Sequence, residues 1–492
     1  MRRKAGSAVP AVALFLLIAI SSLSPLIFSQ QYDVSDPMEL EISSPARAGA
    51  SGDPGVSDVP VWRIGDKWIY AGTFDPTALI VNSGVSASVG EINGDTTAEV
   101  IAITEELVDN MTVLAYTLRS YANFDKSGVE LDGYNGNAFI EYTQTEVLRV
   151  SDLSTIRSDL DMYIKFVPYG ISSLTRILGD ITITNTYSPV NEIYDFPLRA
   201  DERWTTTKTT SSTWSGTSDY ITPFPPPITD TNSTTWEVTD VGRPFNNRGQ
   251  TIGYGGCNQS YGLTSYDTEG DESGYRWYCP EARNYAWLHT EEDVGLTIDF
   301  RLKQYIPKDS TGVDIYQNPG SRNRCINVET TNSITALNTP TEVWVNASAS
   351  CFPNIAGLQL ELRYETTGFL ASLTTAANGS AWAIIDVSDE LDSSAYDLDW
   401  ASHAFVAKIA NHIGVSTITL DEYMVGLDLI ADLDSAIVLR NRSGVTSELN
   451  SITGWNVLPS DQLFIEVSVK NRGITTSAPA DMLITHPDGQ TS

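Results

Sequence analysis

Val61-Trp62-Arg63-Ile64-Gly65-Asp66-Lys67-Trp68-Ile69-Tyr70 is the stretch whose reading decides the fold class. Trp62, Ile64, Trp68 and Tyr70 fall at even spacing, so an extended chain puts them on one face. Gly65-Asp66 between them reads as a turn, which predicts a strand, a turn and a second strand. A fainter echo follows at Tyr194-Asp195-Phe196-Pro197-Leu198-Arg199-Ala200-Asp201-Glu202-Arg203-Trp204, again with an Asp two or three residues before a Trp. Alternating segments recur at Thr112 to Leu118, Phe139 to Val150, Ile181 to Thr186, Thr235 to Val241 and Leu296 to Tyr305. Long helical periodicity is missing. Only Asp152 to Ile164 fits a short helix, and it fits a strand equally well. Residues 60–325 therefore read as one large antiparallel β domain, or as two related halves split near 190–230. A Ser/Thr-rich stretch, Thr205 to Ser218, and the run Pro223-Phe224-Pro225-Pro226-Pro227 interrupt this region and read as an exposed connection.

The opening motif is similar to secreted proteins of the lipoprotein-carrier type, in which a tryptophan-bearing strand starts a curved antiparallel sheet. That resemblance implies a cupped sheet able to hold an apolar ligand.

Downstream, Leu358, Leu360, Leu362 and Tyr364 alternate with Gln359, Glu361, Arg363 and Glu365, a strand with one buried face. Ala376-Ala377-Asn378-Gly379-Ser380 leads into Trp382 to Val387, and Asn-Gly between two such runs predicts a hairpin. With a further strand from Ala404 to Ile409, residues 326–420 read as a β-sandwich. This segment resembles the immunoglobulin-like modules of prokaryotic surface proteins. In the last segment Leu463, Ile465, Val467 and Val469 alternate with polar neighbours and end in Asn471-Arg472-Gly473. Met482 to Thr485 follows, and then His486-Pro487-Asp488-Gly489. Val469-Lys470-Asn471-Arg472-Gly473 resembles the Val-x-Asn-x-Gly turn of the CARDB domain, a cell-adhesion-related immunoglobulin-like module. The resemblance spans residues 421–492 and implies a surface role, with cell-envelope proteins or glycans as partners. A two-sheet sandwich of this type needs roughly 100 residues, so this module reads as partial, completed by further sequence or by another chain.

Composition bounds the function. The chain has 492 residues, 30 Lys+Arg against 62 Asp+Glu, and a formal net charge of -32. Such a field repels phosphate backbones and anionic lipid, so no nucleic acid is expected as a partner. Hydrophobic residues at 41% and aromatics at 10% exclude a disordered chain.

At the N-terminus, Arg2, Arg3 and Lys4 precede the apolar run Ala11 to Ile20. Residues 1–29 read as a secretory signal peptide. A retained anchor, or an archaeal prepilin-like signal around Lys4-Ala5-Gly6 that would make the chain a filament subunit, stays open as an alternative. A membrane would be met only through this segment or through an anchor beyond residue 492. Residues 30–59, rich in Ser, Pro, Gly and Asp, read as a flexible linker.

In an exported chain the four cysteines should be oxidised. Neighbour pairing, Cys257 with Cys279 and Cys325 with Cys351, closes two short loops and respects a domain boundary near 325.

No nucleophile elbow, metalloprotease helix, phosphate loop or dinucleotide fingerprint occurs, and the four histidines are scattered. The chain reads as a non-enzyme without a cofactor, calcium being the one candidate. Asp386, Asp389, Asp392, Asp397 and Asp399 crowd one segment and could offer oxygen ligands, although a solvated acidic loop explains them as well. Tyr254, Tyr261, Tyr275, Trp277 and Trp287 lie around Cys257 and Cys279 and are candidates for stacking on a glycan, with core packing as the alternative. Asn110, Asn232, Asn258, Asn346, Asn378 and Asn441 open Asn-x-Ser/Thr sequons. Asn378, Asn346 and Asn232 are the candidates for glycosylation. The expected protein is an all-β, secreted or cell-surface adhesion or architectural protein. A glycan- or lipid-binding module in residues 60–325 is the alternative.

Overall fold

The computed structural model describes residues 57–75, 87–108, 111–131, 133–170, 175–218, 226–245, 254–268, 270–292, 296–307, 325–330, 334–335, 340–366, 368–386, 402–420, 429–449 and 457–471. Among these every regular element is a strand. Residues 1–56, which hold the expected signal and most of the expected linker, lie outside the described residues, as do Asp389 to Asp399 and Met482 to Gly489.

Thirteen strands make the first sheet: β1 (Lys67–Asp75), β2 (Ala87–Ser88), β3 (Ile92–Val108), β4 (Met111–Leu131), β5 (Tyr134–Arg149), β6 (Thr155–Pro168), β7 (Arg176–Asn191), β8 (Arg203–Thr217), β9 (Ile228–Gly242), β10 (Ser260–Tyr266), β11 (Glu272–Cys279), β12 (Asn284–Glu292) and β13 (Leu296–Ile306). Their order is β2-β4-β3-β1-β13-β12-β11-β10-β9-β8-β7-β6-β5, and β5 also pairs with β4. Twelve strands thus close into an antiparallel barrel-like sheet, with β2 attached to β4. Closure leaves few unpaired edges for aggregation.

β8 and β9, on either side of the Pro run, pair directly from Arg203↔Glu237 to Ser212↔Ile228, so one sheet runs through the region where two halves were an option. Of Asp152 to Ile164, Thr155 onward resolves as strand β6, where Leu160 and Met162 pack with Tyr142 and Ile183, and Asp152 to Ser154 form the turn before it. Trp62 and Ile64 are buried as expected, but the first strand begins only at Lys67. Residues 61–64 instead tuck under the barrel rim: Trp62 Nε1 donates to Arg283 O at 2.6 Å, and Trp68 Nε1 to Ala282 O at 2.6 Å. Gly65, with φ +95, makes the turn that no β-carbon would tolerate easily.

The barrel interior is filled, which counts against the cupped carrier. Trp68, Tyr70, Tyr116, Trp236, Leu263 and Leu302 form the main core, and Phe124, Tyr142, Leu160 and Ile183 a second cluster. Charges lie among them. Arg276 is ringed by Tyr194, Trp236 and Tyr285 at 5.7–6.0 Å. Burial pushes the Glu146 carboxyl up to about 7, with Arg276 opposing the shift. Lys208 Nζ donates to Asn191 Oδ1 at 2.6 Å, and burial, then Arg276, pushes it down to about 8.

The next unit has two sheets around one core. β14 (Ile326–Thr330), β16 (Pro340–Ala347) and β19 (Ser380–Asp386) make one. β15 (Ile334–Thr335), β21 (His412–Leu420), β20 (Ser402–Ile409), β17 (Gln359–Tyr364) and β18 (Gly368–Thr374) make the other. Val343, Val345, Leu360, Leu362, Phe405 and Ile418 meet between them. The Asn378-Gly379 turn is not a hairpin loop. β17 pairs with β18, and the turn carries the chain across to β19 in the other sheet. β22 (Leu429–Arg442), β23 (Val445–Leu449) and β24 (Gln462–Asn471) form a last three-stranded sheet, order β23-β22-β24.

Candidate functional site

The aromatic residues singled out in the sequence do not form one exposed platform. Tyr261, Trp277 and Trp287 are at most 3% exposed, which corrects their reading as ligand-stacking rings. Tyr261 belongs to the main core, with Tyr254 half-buried against it. Trp277 and Trp287 face outward from the barrel wall but are buried with Phe245 and Tyr275 in a small cluster of their own. Core packing, the alternative reading, fits these two rings better.

Asp299 organises the rim of that cluster. Its carboxylate accepts from Trp287 Nε1 at 2.9 Å and from Arg301 Nε and Nη2 at 2.5 and 3.1 Å. His289 Nδ1 lies 3.4 Å away, while its ring stacks on Tyr275 at 4.8 Å. Burial alone would raise the Asp299 carboxyl; hydrogen bonds from His289, Arg301 and Trp287 outweigh it and hold the group below its ordinary value. A carboxylate only accepts, so Nδ1 carries the proton in this contact. The polar atoms here satisfy one another over core rings, which reads as structure.

A different place on the wall offers room. The register of β4 to β7 lines up Tyr121, Thr143, Asp161 and Thr182 in one outward row, and Asn123, Glu141, Tyr163 and Asp180 in the next. Arg119 closes one end, its guanidinium 5.6 Å from the Tyr121 ring. Between these side chains lies a groove of about 510 Å³. Thr182 Oγ1 donates to Asp161 Oδ1 at 2.7 Å, so at least one carboxylate is held in place. Two phenol rings set diagonally among carboxylates and an amide can take a molecule with apolar ring faces and many hydroxyls. The acids disfavour an anionic guest. None of these residues was foreseen. Their only sequence signal is an aromatic at the polar phase of an alternating strand, and that phase becomes visible only once the register is known.

Both disulfides form as expected, Cys257–Cys279 and Cys325–Cys351, and fit an oxidising compartment. Among the described residues Cys257, Cys279 and Glu281 group like metal ligands, but both sulfurs are already bonded to each other. Asp386 ends β19; Asp389, Asp392, Asp397 and Asp399 lie outside the described residues. Asn346 and Asn378 are exposed. Asn232 is buried on the inner face of β9, which corrects it as a glycosylation candidate. Among the described residues no helix is long and apolar enough to cross a membrane.

The sequence matches no family and no curated protein. Among solved structures, a polysaccharide lyase is similar at 8% identity and TM-score 0.17, over 73% of this chain and 40% of that one. An alpha-2-macroglobulin from Escherichia coli is similar at 9% identity and TM-score 0.18, over 86% of this chain and 47% of that one. The chain thus spans less than half the length of either. Likeness at this level carries no argument about function.

Proposed function

We propose that this is a secreted or cell-surface, non-catalytic β-module protein that works by adhesion, holding a neutral or basic glycan in the groove between Tyr121 and Tyr163. The groove carries the reading: it pairs the exposed Tyr121 ring and the half-buried Tyr163 ring with hydrogen-bonding groups on four strands of a closed wall. Two disulfides support an extracellular setting. The unit at 326–420 is read as an immunoglobulin-like spacer and the sheet at 429–471 as part of a CARDB-like module.

The test is binding of oligosaccharides to the full chain, followed by titration calorimetry and intrinsic fluorescence. Neutral or amino sugars should bind, and Tyr163→Ala should weaken them by about tenfold or more, the loss of one stacking ring (about 1–3 kcal/mol for a ring stacked on a nucleobase). Equal binding by wild type and Tyr163→Ala, or a preference for uronates, would sink the reading.

A further inference from the structure

The outer face of the sheet β14-β16-β19 carries an apolar patch that the groove does not explain. Trp344 and Trp382 are direct cross-strand partners, their rings stacked at 5.6 Å and 23°. They are 37% and 50% exposed, and Ile384 beside them is 56% exposed. In a chain this acidic, two stacked half-open indoles on one sheet face are a ready surface for an apolar ring face.

Two sequons end on this same face. Asn346 lies two residues from Trp344 along β16, so both side chains point outward together. Ser380, the hydroxyl residue of the Asn378 sequon, is the cross-strand partner of Asn346. Asn378 Oδ1 accepts from Ser380 N at 3.1 Å and Ser380 Oγ at 2.7 Å, which leaves its amide nitrogen as the outward group. Two of the six sequons thus meet at the exposed Trp344–Trp382 pair.

We propose that Asn346 carries an N-linked glycan that lies over Trp344 and Trp382, with Asn378 as a second attachment point at the same end of the sheet. The inference rests on the extracellular reading above. In the attachment step, Asn346 Nδ2 bonds to the anomeric carbon of a lipid-linked glycosyl phosphate donor. The bond from that carbon to the phosphate oxygen breaks, the lipid phosphate leaves with the electron pair, and one amide proton is released. The first sugars then rest an apolar ring face on the indoles and hydrogen-bond to the polar rim, where Glu342 already accepts from Trp344 Nε1 at 3.1 Å. A tethered ligand needs little intrinsic affinity, because the effective concentration on a short tether reaches millimolar. A second protein is the weaker candidate. Three half-exposed side chains offer at most a few hundred Å², against roughly 800 Å² per partner in a stable complex.

The experiment uses the full chain recovered from the cells that make it. Peptide mass mapping should find Asn346 carrying hexose-type mass. Hydroxyl-radical footprinting should then show Trp344 and Trp382 several-fold more reactive in Asn346→Gln, and again in Ser348→Ala, which destroys the sequon but keeps the asparagine. Protein recovered outside the cell with Asn346 bare overturns this inference alone, whereas protein found only in the cytoplasm overturns the extracellular reading with it. Unchanged tryptophan reactivity in both variants would mean that something other than the glycan covers the pair.

Discussion

Glu146 and Glu365 sit in different units, yet burial pushes both carboxyls up to about 7. Arg276 opposes the shift at Glu146; at Glu365, His403, the Ala404 amide and Arg149 oppose it, while Asp152 adds to it. In each case desolvation wins, because an ionised carboxylate in the interior loses more hydration than these partners return. Between the unfolded value near 4.5 and the folded value near 7, the folded chain holds two protons that the unfolded chain has released. Stability must therefore fall as pH rises through that window, by up to about 3 kcal/mol at the buried Glu365 and by less at Glu146, which stays partly solvated. Wild type should melt at a higher temperature at pH 5 than at pH 7.5, and the double variant Glu146→Gln, Glu365→Gln should show a much smaller difference. A melting temperature that climbs from pH 5 to pH 7.5 in wild type would contradict this. Neither glutamate stands out in the sequence: Glu365 continues the polar phase of its alternating run, and its burial against His403 and Ala404 of β20, with Arg149 and Asp152 of the barrel nearby, depends on contacts across the fold.

Strands β1 and β3 face each other through two glycines, Gly72↔Gly94. A β-carbon at Gly94 would lie 2.1 Å from the Phe124 ring, and one at Gly72 would lie 2.6 Å from the Phe300 ring. The missing side chains are thus the space that two core phenylalanines fill. Gly94→Val should cost roughly 1–3 kcal/mol through overpacking, read as a shift in denaturation midpoint, while Asn93→Val on the exposed face should stay within about 0.5 kcal/mol. Equal effects would show that the core adapts around Phe124. Such positions mark the limit of a sequence reading at the level of elements. Alternation identified the strands themselves: Thr235 to Val241 lies within β9 and Leu296 to Tyr305 within β13. Cysteine spacing identified both bridges. Pairing is a different matter. Lys67 meets Ile306 to join β1 and β13, and no local signal spans that distance. The Asn378-Gly379 turn has the same chemistry whether its flanking strands pair or part into two sheets, so the hairpin was the natural but mistaken expectation. The groove was hidden for the same reason, since Tyr121 and Tyr163 become neighbours only through the register of β4, β5 and β6.

Across the whole molecule, the barrel and the two-sheet unit share a core. In β20, Phe405, Ala407 and Ile409 turn into the sandwich, whereas Ala404 and Val406 join the barrel cluster with Val59 and Trp62. Both faces of that strand are covered, which explains why its alternation reads as nearly continuous burial. Polar contacts surround the seam. Thr419 Oγ1 donates to Asp58 Oδ1, Thr366 Oγ1 to Thr112 O, and Arg63 Nη2 to Asn327 Oδ1 at 3.3 Å. A shared apolar seam of this kind couples unfolding, because neither unit can open without exposing surface of the other. Residues 57–420 should therefore unfold in one calorimetric transition. Val406→Asp buries an unpaired carboxylate in the seam while leaving the sandwich face of β20 intact, at a cost of several kcal/mol. That variant should split the transition into two, the sandwich retaining its own midpoint. Two transitions already present in wild type would mean that the seam does not couple the units, whereas one transition retained in Val406→Asp would mean that contacts other than Val406 hold them together.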